Sequence, residues 1–320
     1  MVKQIKIEQP FLNFRGRLSE GVTYNPANNT LLWVDIIAGE VHRVKLLEGD
    51  DYTPEQLTTV AATHEVVKVP DSVGVIGLTK DKDVYIAGCQ FGYGFVSFVT
   101  GEFVYRKRYA NALATLRSND GTVDPQGNFW VGTMSDFSVG SVKPEGSLYR
   151  INTNGSIDEV FSECLIPNGM AFSGSTLTWI DSLTFTIWKF DYNLETGEVS
   201  NKRPHIEIKK VLPDLNSPEP DGMTMLPDGS IYVAVWSSSR VLHFDPEGKL
   251  VTEFVFPAER ISCVTFGGTS GDEMFVTTAN QHLDDVTRLD EVEDFGGSIF
   301  RVKVPGVKST PKSIWQGSLE

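Results

Sequence analysis

Cysteine is scarce in this chain, with three residues at positions 89, 164 and 263 of 320. They form an odd, scattered set without CxxC or Cys/His spacing, which excludes a disulfide framework and a structural zinc and leaves buried free thiols. Long apolar runs are missing too. No stretch reaches membrane-spanning length, and the opening Met1-Val2-Lys3-Gln4-Ile5-Lys6 lacks the apolar core of a signal peptide. A soluble, cytoplasmic protein without a membrane partner is expected. Basic residues are the minority, 28 against 42 acidic ones for a formal charge of −14. A field of that sign repels nucleic acid and anionic membrane. There is no GxSxG elbow, no P-loop and no GxGxxG after a strand, and Gly92-Tyr93-Gly94 is too short to count, so nucleophilic serine and nucleotide chemistry have no support.

What is present is ordinary soluble composition, 40% hydrophobic and 22% charged, carrying one pattern six times. The pattern recurs as Leu32-Trp33-Val34-Asp35, Val84-Tyr85-Ile86-Ala87, Phe129-Trp130-Val131-Gly132, Thr178-Trp179-Ile180-Asp181, Ile231-Tyr232-Val233-Ala234 and Met274-Phe275-Val276-Thr277. The aromatics lie 52, 45, 49, 53 and 43 residues apart, near the roughly 40–50 residues of a four-stranded propeller blade. Turn dipeptides precede these segments and a second alternating segment follows each, whereas helical periodicity is hard to find. The sequence therefore predicts an all-β, six-bladed β-propeller forming one domain over residues 1–316. Residues 5–14 are expected to supply a strand closing the last blade, and residues 317–320 are set aside as a cloning remnant. A two-sheet sandwich also has many short strands, but it has no reason to repeat one signature six times.

In a propeller the innermost strands line a central channel, so register locates the chemistry. Counting back 11 positions from five of the aromatics gives Gly74, Asn119, Asn168, Asp221 and Val264, and 13 back in the first unit gives Glu20. Four blades thus offer an oxygen-bearing side chain at nearly one level, each followed at once or after one residue by glycine. Taken singly, Asn-Gly and Asp-Gly are more often turns than ligands; four in one register shift the balance. Two amides and two carboxylates suit one hard divalent ion, Ca²⁺, Mg²⁺ or Mn²⁺, and Zn²⁺ could also be held. None of the five histidines falls in this register. Arg117, two residues before Asn119, could turn its planar fork to a ligand at the same mouth or be an ordinary loop arginine.

Arg117-Ser118-Asn119-Asp120-Gly121-Thr122-Val123-Asp124-Pro125, running into Phe129-Trp130-Val131-Gly132-Thr133-Met134, resembles the gluconolactonase, regucalcin and senescence-marker family of six-bladed propellers. Pro167-Asn168-Gly169, Ile180-Asp181-Ser182-Leu183, Pro220-Asp221-Gly222-Met223 and Ser262-Cys263-Val264-Thr265-Phe266-Gly267-Gly268 extend the resemblance over nearly the whole chain. It implies that Glu20, Asn168 and Asp221 are metal ligands, that Arg117 and Asn119 contact substrate, and that Asp221 is also the acid/base. The implied reaction is divalent-metal-dependent hydrolysis of a sugar lactone to an aldonic acid. Two departures stand out: Phe137 occupies the place of a substrate-binding glutamate in relatives, and the opening motif reads Glu20-Gly21-Val22 where a proline is usual in the third place. The alternatives are hydrolysis of other esters or organophosphates on the same fold, and a non-catalytic metal-binding propeller. Residues 135–144 and 281–294, polar and glycine-containing, are expected to form a lid.

Overall fold

The computed structural model describes residues 2–49, 52–291 and 293–319. Each of the six aromatic signatures forms the second strand of its own antiparallel sheet, and the sheets are the blades of a β-propeller. Blade one runs outward from the channel as Ser19–Asn25, Thr30–Asp35, Glu40–Lys45 and Glu65–Lys68. The next four blades repeat this meander behind inner strands Val73–Leu78, Leu116–Val123, Pro167–Ser173 and Glu219–Met225. The sixth has three strands, Arg260–Gly267, Glu273–Ala279 and Ile299–Lys303. Neighbouring inner strands pack together all the way round, Arg260–Gly267 against Ser19–Asn25 included, so the ring is closed.

The second strands read as continuous apolar runs because both of their faces are covered by a neighbouring blade. Successive side chains point to opposite faces, so each strand feeds two cores. Trp33 joins Val22 and Phe275 between blades six and one, while Leu32 and Val34 join Ile76 and Tyr85 between blades one and two. Six such cores, one per blade interface, hold the ring. The aromatics are not all on the same face: Trp33, Tyr85 and Trp179 face the preceding blade, and Trp130, Tyr232 and Phe275 the following one. Either face is buried, so either accepts a large ring.

The N-terminal segment departs from expectation. Lys3–Lys6 pairs in parallel with Leu250–Val255 as a fifth strand on blade five, drawn there by Ile5 and Ile7, which pack against the core between blades five and six. Blade six receives no regular strand from this segment among the described residues, but Phe11 and Leu12 donate their amides to the Ile299 carbonyl at 2.8 and 3.0 Å and Gly16 donates to the Gly297 carbonyl at 2.9 Å. A helix, Pro54–Ala61, interrupts blade one; Thr53 and Gln56 form its capping box, a local signal that the β-dominated sequence reading passes over. None of the described helices is long and apolar enough to cross a membrane.

The C-terminal segment crosses the far end of the channel. Residues 310–313 line it, and Lys312 Nζ donates to the Val22 carbonyl at 3.2 Å and to Thr23 Oγ1 at 3.1 Å. Ile314 bridges to Leu78, and Trp315 is buried in the core between blades two and three. The residues set aside as a remnant follow directly: Ser318 O accepts from Trp315 Nε1, Leu319 O accepts from Arg106, and Glu320 lies outside the described residues. Cys89, Cys164 and Cys263 are buried free thiols.

Candidate functional site

Every inner strand carries a β-bulge near its start. Pairing slips between Glu20 and Thr23, Val73 and Val75, Ser118 and Gly121, Pro167 and Met170, Pro220 and Met223, and Ile261 and Cys263. A bulge adds a residue and re-aims its side chain. Here Asn119, Asn168 and Asp221 sit within the bulge and Glu20 at its edge, so the four register residues turn together toward one end of the channel. In blade six the bulge falls at Ser262, two residues before the Val264 that the spacing marks. Each blade fixes its own bulge position, so a constant count from the aromatic misses by two there. Glycine beside the site is required by crowding: a Cβ on Gly169 would stand 2.6 Å from the Met223 amide nitrogen, and one on Gly222 2.5 Å from Cys263 Sγ.

Two aspartates from the repeated signature hold the entry to these strands. Asp35 accepts from the backbone amides of Arg17 and Leu18 at 2.6 and 3.2 Å, just before Glu20. Asp181 accepts from Leu165 and Ile166 at 3.0 and 2.8 Å, just before Asn168. In blades one and four the end of the second strand thereby braces the approach to the candidate ligand on its own blade.

Glu20, Arg117, Asn119, Asn168 and Asp221 line one cavity of about 290 Å³, and all five are buried. Arg117 Nη1 donates to Asn119 Oδ1 at 2.7 Å, and Asn119 Nδ2 donates to the Pro167 carbonyl at 3.0 Å, which pins this amide between blades three and four. Asn168 Nδ2 donates to Ser182 Oγ at 3.0 Å. Its Oδ1 is buried with no hydrogen-bond partner among the described residues.

The carboxylates around that oxygen are strongly perturbed. Burial, and then the neighbouring Asp120, push the Glu20 carboxyl up to about 8, against the Gly21 amide and Arg117, which favour its charged form. Burial together with Glu20 and Asp120 raises Asp221 well above the usual carboxylate range, with Asn168 opposing. Burial lowers Arg117, while Asp136, Glu20 and Asp221 support its charge. Two buried carboxylates that repel each other, beside an amide oxygen lacking a donor, form a pocket suited to a hard cation. The residues present therefore fit a divalent ion held by Glu20, Asn168 and Asp221. No three His, Cys, Asp or Glu side chains converge to hold a metal among the described residues, so such a site depends on the amide.

Three groups at or beside the site lie outside the residues that the register marks. Asp120, neighbour to Asn119, lines a second cavity further along the channel with Lys312, and burial raises its carboxyl to about 6 while Lys312 opposes the shift. Ser182 and Glu219 line the site cavity itself. Glu219 was legible in principle: it lies two residues before Asp221 on one strand, the same relation Arg117 has to Asn119. Of the expected lid, Phe137 and Val142 line the site cavity, and Leu283 and Asp284 line an adjoining one of about 690 Å³ that shares Leu18, Arg117, Phe137 and Trp236. Val292, within the second lid segment, lies outside the described residues. Phe137 stands over Arg117, its ring centre 5.7 Å from the guanidinium carbon.

Residues 18–280 match the family described as the SMP-30/Gluconolactonase/LRE-like region. The chain is 41% identical over 330 residues to the Cell growth-regulated gene 1 protein of Candida albicans, covering 96% of each. It is 31% identical over 303 residues to regucalcin of Bos taurus, covering 93% of this chain and 94% of that one. Its fold is similar to the crystal structure of a calcium-binding protein, regucalcin, from Agrobacterium tumefaciens, with a TM-score of 0.82 at 22% identity over 98% of this chain and 99% of that one. The match runs from the strand that carries Glu20 into the second strand of blade six, through every inner strand that lines the channel, and the chain belongs to the SMP-30/gluconolactonase/LRE-like family.

Proposed function

We propose that this protein hydrolyses a lactone with the help of one divalent metal ion held by Glu20, Asn168 and Asp221, a sugar lactone being the substrate class that the family resemblance suggests. The observation that carries this reading is the convergence of two buried carboxylates on an amide oxygen without a partner, beneath the paired Arg117 and Asn119. Bound there, the ion supplies Lewis-acid polarisation of the ring carbonyl and of water. Arg117 and Asn119, already joined to each other, orient the lactone oxygens and keep one position on approach. Asp221 accepts a proton from the attacking water on a carboxylate oxygen and returns it to the ring oxygen as the carbon–oxygen bond breaks, leaving a hydroxy acid. A carboxylate has two oxygens, so one residue can serve both as ligand and as base.

The test is acid release by chelator-stripped protein on a panel of aldonolactones, with Ca²⁺, Mg²⁺, Mn²⁺ and Zn²⁺ returned one at a time. Metal-restored hydrolysis is expected, and Asp221→Asn should lower kcat by on the order of 10²–10⁴. Tight metal binding without hydrolysis of any lactone would instead support a non-catalytic propeller, and turnover confined to phosphotriesters would move the reaction to another ester class.

A further inference from the structure

The wall above the candidate ligands has a composition at odds with a fully hydroxylated sugar. Leu18, Phe137, Val142, Ile166, Leu183 and Trp236 form its upper collar, and Phe137 stands half exposed at the mouth. A hydroxyl group pressed against such a surface loses its water without gaining a partner, which is costly. Beyond the candidate ligands, Arg117 and Asn119, two polar side chains among the described residues break the apolar wall: Ser182, whose Oγ is engaged by Asn168, and Glu219. Glu219 lines the cavity from blade five, with Ser217 donating to its Oε1. Its Oε2 is buried with no hydrogen-bond partner among the described residues. A buried carboxylate oxygen without a partner, on a residue that lines a ligand cavity, is a place for a donor from the ligand.

Resting on the lactonase reading above, we infer that the substrate is a lactone with a hydroxyl donated to Glu219 and an apolar end, such as the methyl of a 6-deoxyhexonolactone, seated in the collar around Phe137. Glu219 and Phe137 are then specificity residues that touch substrate without entering the bond-breaking step. Glu219 stands on the strand that carries Asp221, and Phe137 follows the second strand of blade three, Phe129–Ser135, which pairs with the one that carries Arg117 and Asn119. The hydroxyl and the apolar end are thus recognised from different blades, and one ligand must span the cavity to satisfy both.

The experiment uses matched pairs differing by a single oxygen: L-fucono- against L-galactonolactone, and L-rhamnono- against L-mannonolactone. For each pair, kcat/KM is measured with metal present, and binding of the corresponding aldonic acids is measured by calorimetry. The deoxy member should be preferred by about tenfold or more, and Phe137→Glu should erase or reverse the preference. Glu219→Leu, with Glu219→Gln as the variant that keeps shape, should raise KM for the hydroxylated lactones at least fivefold more than for δ-valerolactone, which has no hydroxyl to donate. A purely structural role for Glu219 would move all substrates alike and overturn its assignment. Turnover or acid binding that ignores or favours the extra hydroxyl would overturn the apolar subsite. Discriminating binding without turnover would uphold the subsite while refuting the lactonase reading, and neither binding nor turnover would refute both.

Discussion

At the scale of single residues, the candidate site gains its geometry from side chains that brace one another before any ligand arrives. Arg117 joins Asn119 and the Ser118 carbonyl through one nitrogen, at 2.7 and 2.9 Å, which leaves the rest of its fork free for the cavity. Lysine has no fork. Arg117→Lys should keep the charge yet raise KM for the preferred lactone on the order of tenfold, a difference of about 1.4 kcal/mol, as read from initial-rate kinetics. Asn168 differs in kind, since one half of its amide is held by Ser182 and the other is open. Asn168→Ala should fold, because it removes an unpartnered acceptor along with one hydrogen bond, and should weaken metal binding measured by calorimetry. Unchanged affinity would take Asn168 out of the ligand set.

At the scale of elements, the bulge at the start of each inner strand converts a repeated strand into a ring of inward-turned oxygens, and Asp35 and Asp181 hold the approaches. Asp35→Ala should destabilise the protein by about 2–3 kcal/mol, since buried backbone amides lose a charged acceptor, and should weaken metal binding through Glu20. Urea unfolding and calorimetry would report the two effects separately. Much of this was legible in the sequence. Glu20, Asn119, Asn168 and Asp221 share a register with one another and a glycine with their own bulge, both of them local facts. The offset of Ser262 was not legible, because the position of a bulge depends on pairing with the next strand and not on the residue alone. Nor was the docking of Lys3–Lys6 on blade five, since Ile5 and Ile7 find their partners some 250 positions away in sequence. The collar around Phe137 comes from loops of several blades, and no periodicity brings those together.

At the scale of the whole molecule, the ring is closed by packing of neighbouring inner strands, and the segment around Trp315 is stitched across it. Trp315, from the segment that crosses the channel, is 2% exposed between blades two and three. Trp315→Ala should cost about 3–5 kcal/mol, seen as a fall in the denaturation midpoint. Acid sensitivity also has an identifiable source. Burial lowers His64, bonded at 3.0 Å to His42 and stacked on Phe14, to about 4, and burial likewise lowers His205 to about 4. In both cases the folded protein binds a proton less readily than the unfolded chain, so their stabilisation is present above pH 6.5 and is lost as pH falls toward 4. The Tm of the His64→Gln, His205→Gln double variant should therefore change less than that of the parent across this window, and parallel curves would contradict the assignment. Whether the oxygens gathered by the bulges hold one cation can be seen by anomalous scattering from Mn²⁺-loaded crystals. A single strong peak is expected in the channel, about 2.0–2.6 Å from oxygens of Glu20, Asn168 and Asp221; a cavity without a peak at saturating Mn²⁺, or a peak held by other residues, would rule the site out.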